Sequence, residues 1–136
     1  MKPVTPLLAV DAVIYKEDMD LIVLIKRKNP PHGWALPGGF VDIGETTHTA
    51  VRREVMEETN LKFDIKGFVG IYSAPDRDPR GHVVSLVFYG IGSGLLEAKD
   101  DAVEITMFHI NNLPVPLAFD HEKIIRDYVA LDNKYG

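Results

Sequence analysis

Between Gly39 and Leu61 the chain reads GFVDIGETTHTAVRREVMEETNL, which crowds Glu54, Glu57 and Glu58 onto one short stretch of helix-forming sequence. At about 100° per residue, a helix projects all three from an arc of roughly 100°. Like charges three and four residues apart repel by about 0.2–0.5 kcal/mol each in water, and by more in a dry site, so a fold keeps such a trio where something offsets the repulsion. A hard divalent ion such as Mg²⁺, with its preference for oxygen ligands, is the natural candidate. A solvated acidic helix face is the alternative reading of an isolated Glu-x-x-Glu-Glu.

The rest of the chain limits what can surround this segment. Its 136 residues, 46% hydrophobic and 26% charged, fit a single domain over residues 1–136 with one sizeable core. A net charge of −5 and a pI near 5.5 argue against nucleic acid or an anionic membrane as a partner and favour small ligands. The absence of cysteine excludes disulfides, thiol catalysis and cysteine-ligated zinc. The apolar run Leu7–Val10 is too short for a signal-peptide core, and no stretch reaches membrane-spanning length. The expected location is the cytoplasm.

Leu7–Tyr15 and Leu21–Lys26 are β-rich runs joined by the polar Lys16–Asp20, and both are expected to be strands. After Trp34-Ala35-Leu36, the Pro37-Gly38-Gly39 corner allows close approach of the backbone to another group. Thr46 or Thr47 can cap a helix whose apolar stripe is Ala50, Val51 and Val55, with the carboxylates on its other side. Further strands are expected at Leu61–Ala74, His82–Gly90 and Glu104–Ile110, and a closing helix over Phe119–Leu131. This order gives an α/β fold with a mixed sheet between helices. The remaining histidines, His32, His48, His109 and His121, lack zinc-site spacing and are expected at the surface or in strands.

Gly39, Glu45 and Arg53-Glu54-Val55-Met56-Glu57-Glu58-Thr59-Asn60-Leu61 together resemble the signature box of the Nudix hydrolases, Gx5Ex7REUxEExGU with U aliphatic. The departure is Asn60, where the family usually has glycine; asparagine tolerates the left-handed geometry that such a slot demands. The resemblance implies a Nudix-type α/β/α sandwich and hydrolysis of a nucleoside diphosphate linked to another moiety. It makes Glu54 and Glu58 the principal ligands of Mg²⁺, or of Mn²⁺ in its place, with Glu57 holding another ion or a bridging water and the Gly38 carbonyl as a further ligand. Glu45 and Arg53 are implied to orient the glutamates.

For the general base, the resemblance leaves a glutamate of the box or one from a later loop, Glu97 or preferably Glu104, which follows the acidic Asp100-Asp101. The segment Tyr72–His82 resembles one found in ADP-ribose pyrophosphatases. Arg77 and Arg80 can fork onto phosphate or ribose oxygens, and Asp76 or Asp78 can accept from sugar hydroxyls. In the alternative reading, these Arg–Asp pairs simply rigidify a hairpin loop. Trp34 or Phe40 can stack a base. ADP-ribose is therefore the expected substrate. Nucleoside triphosphates, dinucleoside polyphosphates and a non-catalytic ADP-ribose-sensing role are the alternatives, and a homodimer is implied by resemblance.

Overall fold

Strand β1 (Leu7–Tyr15) and strand β2 (Leu21–Arg27) set out as an antiparallel pair but are registered only at Tyr15↔Ile22. Beyond that point they diverge, and the following chain fills the fork. Strand β3 (Trp34–Ala35) adds to β2 through Ile25↔Ala35, and strand β4 (Gly38–Phe40) adds to β1 through Val10↔Gly39. Pro37 makes the bend between them, and its carbonyl accepts from Ala12 N–H at 2.9 Å. The computed structural model describes residues 2–99 and 102–135, the last four by their backbone alone.

Helix α1 (Thr47–Thr59) starts where Thr46 Oγ1 accepts from Thr49 N–H at 3.1 Å, which satisfies one of the donors a helix start leaves without a partner. It stops at Asn60, whose φ of 65° is the left-handed geometry expected there, and whose N–H returns to the Met56 carbonyl at 3.0 Å. Strands β5 (Lys62–Tyr72) and β6 (Val83–Ser93) form an antiparallel pair. β6 then runs parallel to β1 from Leu7↔Val83 to Tyr15↔Ile91. Strand β7 (Ala102–His109) lies antiparallel against the other edge of β2, and helix α2 (His121–Tyr135) closes the chain. The sheet is therefore mixed and runs β7-β2-β1-β6-β5, with β3 and β4 in the fork between β2 and β1.

Alternation along β1 sends its two sets of side chains to two cores. Val10, Ala12 and Ile14 pack with Ala50, Val51 and Val55 of α1. Val13 and Tyr15 pack with Ile124, Ile125 and Tyr128 of α2. The helices thus cover opposite faces of the sheet, as expected for an α/β/α sandwich. Ile14, Leu24, Val51 and Ile124 expose no surface, and each contributes about 2 kcal/mol through burial.

Two differences from the sequence reading have physical causes. The strands β3 and β4 are too short to carry a periodicity, and only their tertiary pairing defines them. β6 continues past Gly90 to Ser93 because its glycines are packing sites and not stops. A Cβ on Gly92 would meet Ile14 Cγ2 at 2.6 Å.

The cap at Asn60 is testable by chemical denaturation. Asn60→Gly should leave stability within about 0.5 kcal/mol, whereas Asn60→Ala should lose about 1–2 kcal/mol, because alanine has no relaxed left-handed state.

Candidate active site

The fork decides where the carboxylates meet the backbone. Ala12 donates to the Pro37 carbonyl and Val41 to the Leu8 carbonyl, so Asp11↔Gly38 falls at a non-hydrogen-bonded pair and the polar groups of Gly38 point away from β1. Gly38 N–H instead donates to Glu58 Oε1 at 2.7 Å, and the carbonyl of the same extended residue lies on that side of the strand. Close approach requires glycine at position 38, where a Cβ would run into the Val10 carbonyl. A Cβ on Gly39 would lie 2.5 Å from the carboxyl carbon of Glu54.

Arg53 organises the acidic face of α1. Its Nε donates to Glu45 Oε2 at 2.7 Å and its Nη2 to Glu45 Oε1 at 2.9 Å, a bidentate pair. Nη1 donates to Glu54 Oε1 at 2.8 Å and to Glu57 Oε2 at 3.2 Å, and Nη2 also reaches the Phe40 carbonyl at 3.0 Å. The guanidinium holds the Glu45 carboxyl down to about 2. Glu54 goes the other way, because burial raises its pKa more than Arg53 lowers it. Glu58 is 8% exposed. Burial, with the neighbouring charges of Glu54 and Asp11, pushes its pKa up to about 8 despite the Gly38 hydrogen bond and Arg27.

Gly38, Gly39, Glu54, Glu57 and Glu58 line one side of an open cleft of about 470 Å³, together with Asp11, Arg27, Phe40, Arg77, Asp78, Arg80, Ser85, Phe119 and His121. Asp11 is buried beside Ser85 and Arg77, and its pKa rises to about 7, chiefly through burial. Arg77 forks onto Asp120 at 2.9 and 2.7 Å and also donates to Ser85 Oγ at 3.0 Å. Arg80 forks onto Asp78 at 3.1 and 2.8 Å. Its guanidinium carbon stands 5.7 Å from the Phe40 ring centroid and 5.1 Å from that of Phe119.

A family model for the NUDIX domain matches residues 5–128. The chain belongs to the Nudix family. An ADP-ribose pyrophosphatase from Methanocaldococcus jannaschii is 55% identical over 131 residues, which cover 94% of this chain and 76% of that protein. A MutT/nudix family protein from Enterococcus faecalis has a TM-score of 0.85 and 33% identity, covering 98% of this chain and 64% of its own. A bifunctional NMN adenylyltransferase/ADP ribose pyrophosphatase from Francisella tularensis, complexed with AMP and a Mn ion, has a TM-score of 0.75 and 27% identity, covering 95% of this chain and 42% of its own. This Nudix chain is a pyrophosphohydrolase of the ADP-ribose pyrophosphatase subgroup.

Nudix hydrolases generally use divalent metals, and the donors present here suit a hard cation. Among the described residues no three His, Cys, Asp or Glu side chains gather as a ready-made ligand cage. What the site offers is Glu54 and Glu58 one helical turn apart, together with the Gly38 carbonyl, an all-oxygen set. Burial already disfavours the ionised form of both carboxyls, a penalty that a bound cation relieves. Glu57, drawn toward Arg53 Nη1, lies at the margin of the same set.

The structure gathers nearly all the residues singled out from sequence. Gly38, Phe40, Glu54, Glu57, Glu58, Arg77, Asp78 and Arg80 line the cleft, and Glu45 supports it through Arg53. Glu104 is not brought to it. That residue is exposed on β7 opposite Lys26, and Glu97 is exposed as well; Asp100 and Asp101 lie outside the described residues. His121 corrects the expectation of a surface or strand position: it begins α2, is buried, and its Nδ1 accepts from Leu36 N–H at 3.0 Å. Asp11, Arg27 and Phe119 escaped the sequence reading. Only Asp11 left a signal, as a lone carboxylate inside the apolar run of β1.

Burial keeps the His121 ring neutral, with a pKa near 3 against the ordinary 6.5. Between those values the unfolded chain takes up a proton that the folded chain refuses, so this group's contribution to stability is lost on acidification. Denaturation of wild type and His121→Asn across this window should show the wild type's relative stability rising with pH, by at most about 1.4 kcal/mol per unit. A difference independent of pH would contradict a neutral buried ring.

Proposed function

We propose that this Nudix chain hydrolyses the pyrophosphate bond of ADP-ribose to AMP and ribose 5-phosphate, with Mg²⁺ as its metal and Mn²⁺ able to replace it. The observation that carries the substrate is the 55% identity to an ADP-ribose pyrophosphatase over 94% of this chain. The cleft supports it chemically, since oxygen donors on α1 face guanidinium groups across a volume suited to a nucleotide-sized ligand.

A pyrophosphate resists hydrolysis because its negative charge repels a nucleophile and the departing phosphate must accept an electron pair. A divalent ion held by Glu54, Glu58 and the Gly38 carbonyl would withdraw charge from the phosphate oxygens and acidify a water. The remaining work is positioning. Gly38 N–H fixes one oxygen of Glu58, so the carboxylate presents the other to the cleft. Arg53 holds Glu54 and Glu57 in place and takes up part of their mutual repulsion. We assign the proton of the attacking water to a glutamate of this cluster and not to Glu104, which stands away from the cleft. The water oxygen bonds to one phosphorus as the bridging P–O bond breaks, and the bridging oxygen leaves with the second phosphate.

In the same reading the chain acts on small nucleotides in the cytoplasm and pairs as a homodimer. Exposed Phe68 and Ile71 on the edge strand β5 offer such pairing apolar surface.

Purified protein incubated with ADP-ribose and Mg²⁺ should release AMP and ribose 5-phosphate, and chelation should stop the release. No AMP at micromolar enzyme concentration would sink the substrate assignment. Glu58→Gln should lower kcat by about a hundredfold or more with the fold retained, and an unchanged rate would refute its role as a ligand.

A further inference from the structure

The chain enters α2 through an aromatic residue in an unfavourable backbone state. Phe119 has φ of 56°, in the left-handed region where glycine or asparagine is the relaxed choice. Bonds on either side impose this geometry. Ala118 N–H donates to the Trp34 carbonyl at 2.8 Å and His121 N–H to the Ala118 carbonyl at 3.2 Å, while the His121 ring is tied to Leu36. A bulky side chain kept at such a point calls for a role.

The ring of Phe119 lies on the cleft wall. The guanidinium carbon of Arg27 is 4.8 Å from its centroid and that of Arg80 is 5.1 Å away. Arg27 ends β2 and Arg80 belongs to the loop before β6, so elements far apart in sequence meet on one ring. Each guanidinium has a second anchor. Arg27 Nε donates to the Pro31 carbonyl at 2.8 Å, and Arg80 is forked onto Asp78. An aromatic face attracts a guanidinium through its quadrupole, which an aliphatic side chain of similar bulk cannot do. The ring therefore offsets the repulsion between two like charges lining the same cleft as Glu54, Glu57 and Glu58.

We propose that Phe119 is a positioning residue, gathering Arg27 and Arg80 into one cationic wall that receives a phosphate of the diphosphate substrate and so sets substrate affinity. The inference rests on the pyrophosphatase reading for the identity of that ligand. Phe119→Leu removes the π face, Phe119→Tyr keeps it, and Phe119→Gly relieves the backbone while removing the ring.

Steady-state kinetics on ADP-ribose should show the Leu variant's KM raised about fivefold with kcat within about twofold of wild type, and the Tyr variant close to wild type. The Gly variant should share the raised KM while melting no lower than the Leu variant, which separates loss of the ring from loss of fold. A Leu variant with the wild-type KM, a Tyr variant as impaired as Leu, or a loss confined to kcat would each overturn the proposal. Wild-type protein inactive on ADP-ribose would overturn the substrate reading instead. Calorimetric titration with inorganic pyrophosphate then decides the Phe119 proposal alone: weaker binding by Leu but not Tyr supports it, and equal binding by all variants or none by wild type overturns it.

Discussion

A buried carboxylate held by a backbone amide ties α1 to the sheet. Gly38 can donate to Glu58 only because β1 and β2 part after Tyr15↔Ile22 and β4 enters the gap at a register that turns Gly38 away from β1. The splayed strands, the Pro37 bend and the glycine pair are parts of one arrangement. It brings the Gly38 amide onto the Glu58 carboxylate and the Gly39 backbone so near α1 that a Cβ there would collide with the Glu54 carboxylate. Moving β4 by one residue would turn the groups of Gly38 toward β1 and remove the amide from Glu58.

Charge in the cleft is balanced unevenly. Arg53 serves Glu45, Glu54 and Glu57 together, so the outer part of the acidic cluster carries its own compensation. Glu58 and Asp11 lie deeper, and burial raises both pKa values toward or above neutrality. An acid whose folded pKa is raised loses stability as pH climbs from the unfolded value through the folded one, here from 4.5 to about 8 for Glu58. The fold accepts this penalty at the position where an oxygen-seeking cation would remove it.

Much of this was legible in the sequence because local chemistry and tertiary need coincide there. The ends of α1 could be placed because Thr46 caps it and Asn60 tolerates the left-handed turn, and β1 could be placed because its residues are suited to a strand buried on both faces. The carboxylate cluster was visible from spacing alone. The fork was not, since two- and three-residue strands exist only through their partners. By sequence Phe119 reads as the first residue of a helix, because nothing local marks its left-handed φ. His121 reads as a surface or strand residue because its burial depends on Leu36, far away in sequence. Residues that act through long-range contact leave no periodic trace.

The loop of residues 75–81 shows how pairing redistributes roles among similar side chains. Arg77 and Arg80 read alike in sequence, yet the Arg77 side chain is 4% exposed and bonded to Asp120, Ser85 and the Val83 carbonyl. Breaking so buried a pair costs about 3–5 kcal/mol, because one charge is left unpartnered away from water, and a ligand would have to meet that cost to recruit Arg77. Arg80 is half exposed, anchored at one edge by Asp78 and set between two aromatic rings. The inner arginine therefore fixes the loop to the start of α2, and the outer one keeps its guanidinium on the cleft wall. For any ligand the loop would receive, this clamping leaves less ordering entropy to oppose binding.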